Sequence, residues 1–308
     1  MNGFDKIGPH IKSSYENHIE ELEKARQWLG VDRGRVLDYP RLIREFHEQR
    51  KQDRAHLLAY NESCEVTETV SIWQPHMCNF PGLKDKIRGA LCAGPMVMED
   101  EKALTGSNQP RNDAFVHFLA GRLLVAGIDV IAVDGILKGN TRGSASHDIS
   151  MLWEATLINL ECKRPRSEQK LTRAVHDARK QLAGGAVRKE FGIVAIDCSV
   201  LLRPADTLLR TSTPELGSEF VAERLTQLYG LRLDRRYQRN VLGFIMFARV
   251  PAIAAGRISP IISPAGKPFS YFTRESICTF LVIANSHAPN ANVMSYIAGK
   301  MKASMQAT

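Results

Sequence analysis

Residues 147–170 read HDISMLWEATLINLECKRPRSEQK. Two apolar halves, ISMLW (149–153) and ATLINLEC (155–162), read as neighbouring buried strands with Glu154 near the turn between them. The same stretch carries Asp148, Glu161 and Lys163. Burying a charge is costly by several kcal/mol unless it is paired or holds a metal. Side chains alternate across a strand, so Glu161 and Lys163 share one face while Leu160 and Cys162 share the other. If the pair is antiparallel and in register, the Asp148 carboxylate falls near Glu161. Two carboxylates so placed repel unless a divalent cation lies between them. Hard oxygen donors suit Mg²⁺ or Mn²⁺, which keep several waters and accept phosphate oxygens as further ligands. An adjacent ammonium at Lys163 is placed to orient a water or to stabilise developing negative charge.

Working outward, NDAFVHFLAGRLLVA (112–126) predicts a helix capped by Asn112, closed by Gly127 and apolar most of the way round, hence buried. IDVIAV (128–133) is a strand, followed by the glycine-bearing loop GNTRGSAS (139–146). Beyond the charged pair, KLTRAVHDARKQLA (170–183) places Leu171, Ala174, Val175, Ala178 and Leu182 on one helical face, and FGIVAID (191–197) is a buried strand. A helix around 215–229, a strand at 241–250, a proline-bearing loop (Pro260, Pro264, Pro268) and a helix near 273–285 complete the reading. The order predicts an α/β fold, a mixed central sheet flanked by helices.

The arrangement Asp148 … Glu161-Cys162-Lys163, on a helix, three-strand meander, helix, strand core over 112–197, resembles the PD-(D/E)XK nuclease superfamily and its restriction-endonuclease-like fold. The ending ECKRP is similar to that of many uncharacterised bacterial members. The resemblance covers under a third of the chain. It implies a metal-dependent nuclease that hydrolyses DNA phosphodiester bonds, with restriction, repair or antiphage defence as the setting. Asp148, Glu161 and the Cys162 carbonyl would hold Mg²⁺ or Mn²⁺, and Lys163 would orient the attacking water. Relatives often carry Gln or Lys on the following helix, where Lys180 and Gln181 stand here. The first-helix acid of the family has no clear counterpart, Asn112 and Asp113 occupying that zone. His147 precedes Asp148 where the family's motif has proline.

Charge points the same way. The chain has 308 residues and a formal net charge of +8. Nine Lys/Arg against three acids fall between Lys163 and Glu190, a local excess of +6. Arg164, Arg166, Lys170, Arg173, Arg179 and Lys180 are the expected nucleic-acid contacts, through phosphates. A smaller excess of +3 surrounds Asp234, from Arg232, Arg235, Arg236 and Arg239.

Before residue 105 the sequence reads mainly helical: about 15–28, a long helix from Pro40 through Leu58, and about 82–93, with a short strand at 67–73 (TETVSIW). Residues 99–111 read as a linker or loop. Two units are expected, an N-terminal mainly helical domain (1–105) and the α/β domain (106–308), the first offering a face for a homodimer or a protein partner. No membrane span or secretory signal is evident, and six scattered cysteines suit reduced thiols, so the expected location is cytoplasmic.

Other residues weigh less. Cys64, His76, Cys78 and Cys92 lack the close pairing of a structural zinc site and read as buried thiols. His117 reads as a packed helix residue, Asp197 as a loop cap, and Glu154 as a solvated turn residue. The alternatives to a nuclease are a nuclease-like fold that binds nucleic acid or a protein without cutting, and a salt bridge on an edge hairpin. RNA stands open beside DNA as the substrate.

Overall fold

The computed structural model describes residues 4–10, 15–49, 51, 53–94, 109–140, 146–183, 191–202, 209–233, 241–255, 272–290 and 292–306. A first strand, β1 (Phe4–His10), precedes four helices: α1 (Tyr15–Leu29), α2 (Tyr39–Glu48), α3 (Arg54–Trp73) and α4 (Leu83–Cys92). Then come α5 (Gln109–Val125), β2 (Asp129–Val133), β3 (Ile136–Leu137), β4 (Ile149–Trp153), β5 (Thr156–Lys163) and α6 (Glu168–Ala183). The chain continues through β6 (Phe191–Asp197), α7 (Ser199–Leu202), β7 (Leu209–Thr211) and α8 (Pro214–Arg232). It ends with β8 (Val241–Ala255), β9 (Phe272–Ala284) and α9 (Asn292–Gln306).

The fold is α/β, with one mixed sheet in the order β1-β9-β8-β6-β5-β4-β2-β3 and β7 alongside β8. The strands β5, β6 and β8 run parallel, with α6 linking the first two and α8 preceding the third. The strands β2, β4 and β5 form the expected antiparallel meander. Glu154 and Ala155 both take left-handed backbone, φ 47° and 61°, as the tight hairpin joining β4 to β5 requires.

Alternation along the strands divides the core. Ile158, Leu160 and Cys162 of β5 face a cluster that includes α1 to α5 and α9, while Val194 and Ile196 of β6 face α6 and α8. Helices α1 to α4 therefore share one hydrophobic core with the sheet. Gly192 of β6 lets α6 approach closely: a Cβ there would stand 2.5 Å from a Leu182 methyl.

Four expectations are corrected. Residues 67–73 lie in α3, not in a strand, because Val66, Val70 and Trp73 recur at helical spacing and all are buried. The helix from Pro40 is two helices, broken before Asp53, whose carboxylate caps α3 by accepting the Ala55 and His56 N–H groups. Residues 272–284 form β9, not a helix; it is central, pairing with both β1 and β8, so apolar residues face both sides and no period betrays it. Helix α5 begins at Gln109, so 109–111 are helical rather than linker. The proline loop, the basic stretch from Asp234 to Arg239, and Arg188 to Glu190 lie outside the described residues.

Candidate functional site

The register between β4 and β5 pairs Ile149 with Leu160 and Ser150 with Asn159. Continued by one step, it sets Asp148 across from Glu161. Asp148 Oδ2 accepts the Cys162 N–H at 2.7 Å. In a strand, a residue's N–H and C=O point the same way, so the Cys162 carbonyl is directed toward Asp148 as well. The Asp148 carbonyl is fixed in turn by the Asp134 N–H, at 2.8 Å, from the left-handed turn after β2.

Glu161 is nearly fully buried. Its Oε1 lies 2.8 Å from His147 Nδ1, and Lys163 donates to its Oε2 at 3.3 Å. Lys163 and Glu161 are thus in contact on one strand, and the register of β4 on β5 puts Asp148 opposite Glu161. Burial, then the nearby Glu161 charge, push the Asp148 carboxyl up to about 6, and the Cys162 N–H bond and the Lys163 charge only partly offset them. Asp113 of α5 adds to that repulsion, and burial raises its own carboxyl.

Asp148 and Lys163 open onto a cleft of about 830 Å³; Glu161, nearly fully buried, does not line it. Asp148, Lys163 and Arg164 line its floor, α5 contributes Gln109 and Asn112, and α6 contributes Lys170, Arg173, Asp177, Lys180 and Gln181. Gln181 and Lys180 thus line the cleft together, as does Arg166. The exposed α6 cations from Lys170 to Lys180 extend over about 15 Å of helix.

Two expected DNA contacts are placed differently. Arg164 borders the cleft, but its guanidinium is buried and lies 3.4 Å from Asp197 Oδ2. Arg179 is buried on the α6 face that carries Leu171, Val175 and Leu182. Asp197 fills the capping role read from sequence, accepting the Ser199 N–H at 2.8 Å, and pairs with Arg164 besides.

Where α3 meets α5 and β8 lies an ionic layer that no motif in the sequence points to. Glu62 and Glu68 of α3 meet Arg35 (3.1 Å), Arg111 (3.0 Å), Arg122 (3.0 Å) and Arg249 (2.7 Å), all nearly fully buried. Tyr39 also donates to Glu62. The Arg111 and Arg35 charges hold the Glu62 carboxyl far below the carboxylate range in spite of its burial. The signal available in the sequence was the spacing of Glu62, Glu65 and Glu68 on one face of α3, in a helix otherwise rich in buried residues. His147, which stands where the family's motif has proline, is part of the site through its bond to Glu161. His117 is packed inside α5 as expected, with Nε2 3.5 Å from Asp134 Oδ2.

Among the described residues, no three His, Cys, Asp or Glu side chains are grouped to hold a metal ion. Of the zinc candidates, Cys64 and Cys92 are buried and Cys78 is exposed. The oxygen donors are the Asp148 carboxylate, which lines the cleft, and the buried Glu161 carboxylate and Cys162 carbonyl next to it in the sheet. That set fits Mg²⁺, which commonly takes one or two carboxylates and completes its shell with water and phosphate oxygens. The unrelieved repulsion at Asp148 fits a cation too.

The chain is thus a mixed α/β protein with a carboxylate and an amine lining a basic cleft, and a second carboxylate buried beside the amine. Comparison with protein-family models, with curated proteins and with solved structures finds no match. Among the described residues no helix is long and apolar enough to cross a membrane.

Proposed function

We propose that this chain is a nuclease of the PD-(D/E)XK type that hydrolyses DNA phosphodiester bonds in the presence of Mg²⁺ or Mn²⁺. The observation that carries the reading is the register of β4 on β5, which sets Asp148 against Glu161, with Lys163 on the same strand face at a basic cleft. Asp148, Glu161 and the Cys162 carbonyl would hold the cation. When bound, it supplies Lewis-acid polarisation of the phosphoryl oxygens and lowers the pKa of water.

The chain's own groups do the rest. His147 fixes one oxygen of Glu161, leaving Oε2 turned to Lys163. The Lys163 ammonium orients the attacking water and stabilises charge that develops on the phosphate. Gln181, across the cleft on α6, is a hydrogen-bonding group for the phosphate or for the water. Arg166, Lys170, Arg173 and Lys180 hold the backbone of the nucleic acid by charge, independent of sequence. The proposed compartment is the cytoplasm, and the proposed setting is restriction, repair or antiphage defence.

A second reading, a nuclease-like fold that binds DNA without cutting it, draws on one observation. Asp148 already accepts the Cys162 N–H, and both Glu161 oxygens already have partners. Incubating the purified protein with plasmid and linear DNA, in Mg²⁺, Mn²⁺ or EDTA, separates the two. Metal-dependent nicking is expected. Retention of DNA without cleavage in either metal would establish the second reading instead.

A further inference from the structure

Helix α8 is apolar on two sides. Its inner face sets Val221, Leu225, Leu228 and Tyr229 into the core shared with α6 and the sheet. Its outer face carries Leu216 and Phe220, each 50% exposed, and Leu231, 77% exposed. At helical spacing these three and Gln227 form one stripe about 22 Å long. Single exposed leucines are ordinary on a protein surface. A helix that is apolar most of the way round is instead one that other structure covers on both sides.

Charge follows the stripe. Glu215, Glu219 and Glu223 recur every four residues along one flank, and all are exposed. An acid in the first turn complements the helix dipole, which accounts for Glu215; Glu219 and Glu223 lie beyond that turn. On the other flank Arg224 donates to Gln227 Oε1 at 2.9 Å. This acidic flank belongs to a chain of net charge +8. Beside Leu231, Gly230 presents bare backbone, since a Cβ built there meets nothing within 4 Å. Glycine inside a helix lowers its stability relative to alanine, and what it offers here is room for a second backbone to come close.

We propose that the outer face of α8 is a docking site for a helix of another protein, amphipathic, with leucine-like side chains along one stripe and Lys or Arg beside it. The two stripes bury each other, and the basic flank lies along Glu215, Glu219 and Glu223. Charge selects this partner over a second copy of the chain. Two copies of the stripe in full overlap about a two-fold axis, parallel or antiparallel, bring Glu223 of both chains together near the middle, like against like. Leu216, Phe220 and Leu231 do not line the cleft, so this site is independent of the nuclease reading.

The test uses the full chain and two labelled synthetic helical peptides of about 18 residues, each with leucine along one stripe, flanked in one by Lys and in the other by Glu. Fluorescence anisotropy is expected to show saturable binding of the Lys peptide. Phe220→Ser with Leu231→Ser should weaken it about tenfold, and Glu219→Lys with Glu223→Lys should do the same. A net charge of +8 acting at long range favours the Glu peptide, so a preference for the Lys peptide reports the local face. Failure of the Lys peptide to saturate, or equal affinity in the wild type and the double-serine variant, would overturn the proposal. So would a wild-type dimer in sedimentation that the double-serine variant dissolves, which assigns the face to a second copy. Should a variant fail to fold, the wild-type protein is titrated with a Lys peptide whose leucines are replaced by serine. Loss of binding is expected, and binding equal to that of the leucine peptide would overturn the proposal.

Discussion

Replacing Asp148 by Asn should make the protein more stable at neutral pH while removing its proposed cation site. The carboxyl rises from an ordinary 3.8 to about 6 because burial and the Glu161 charge both oppose its ionisation. A raised carboxyl pKa means that the folded state loses stability as pH climbs from about 4 to about 6, and stays penalised above that. The two-unit rise corresponds to about 3 kcal/mol. Asn is close in shape, and its Oδ1 can still accept the Cys162 N–H that Asp148 Oδ2 accepts at 2.7 Å. The relief at about pH 7.5 should therefore approach that figure, a rise of the order of 5 °C in midpoint for a chain of this size. At about pH 4 the wild-type carboxyl is neutral and the two proteins should melt together. The assay is thermal and urea unfolding of both proteins in EDTA at the two pH values. A variant that is destabilised equally at both would refute the claim that Asp148 is held in an unfavourable charge state.

Three further outcomes are expected. Lys163→Ala should abolish metal-dependent cleavage and leave DNA retention in a gel-shift assay nearly unchanged, because the backbone grip belongs to α6. Replacing Lys170, Arg173 and Lys180 together by Ala should flatten the slope of log K against log[salt] by about 2 to 3, as three phosphate contacts disappear. Glu68→Gln leaves the buried Arg122 and Arg249 without their carboxylate and should destabilise the fold by about 3–5 kcal/mol in urea unfolding.

The segment 112–197 was legible because each element showed its own period or turn, and because strand alternation alone put Glu161 and Lys163 on one face. The register that completes the site was conditional in the sequence; the tight turn at Glu154 and Ala155 fixes it. Elements that lack a polar face were harder to read. From Ser276 to Ile283 the strand β9 is buried on both sides, so SICTFLVI carries no alternation, and TETVSIW looks like a strand although it lies within the helix α3. In sequence Arg164 and Arg179 look like the surface cations around them, because nothing local reveals Asp197 beside the first or the interior face of α6 beneath the second. The ionic layer joins residues as far apart as Glu68 and Arg249, a pairing that only the tertiary fold supplies.

The claim on which the functional reading rests is that Asp148 and Glu161 grip a divalent ion between them. Titrating Mn²⁺ into the metal-free protein at about pH 7.5, followed by calorimetry or electron paramagnetic resonance, tests it directly. Saturable binding that is lost in Glu161→Gln and in Asp148→Asn is the predicted result; binding that survives both substitutions, or none in the wild-type protein, would contradict it.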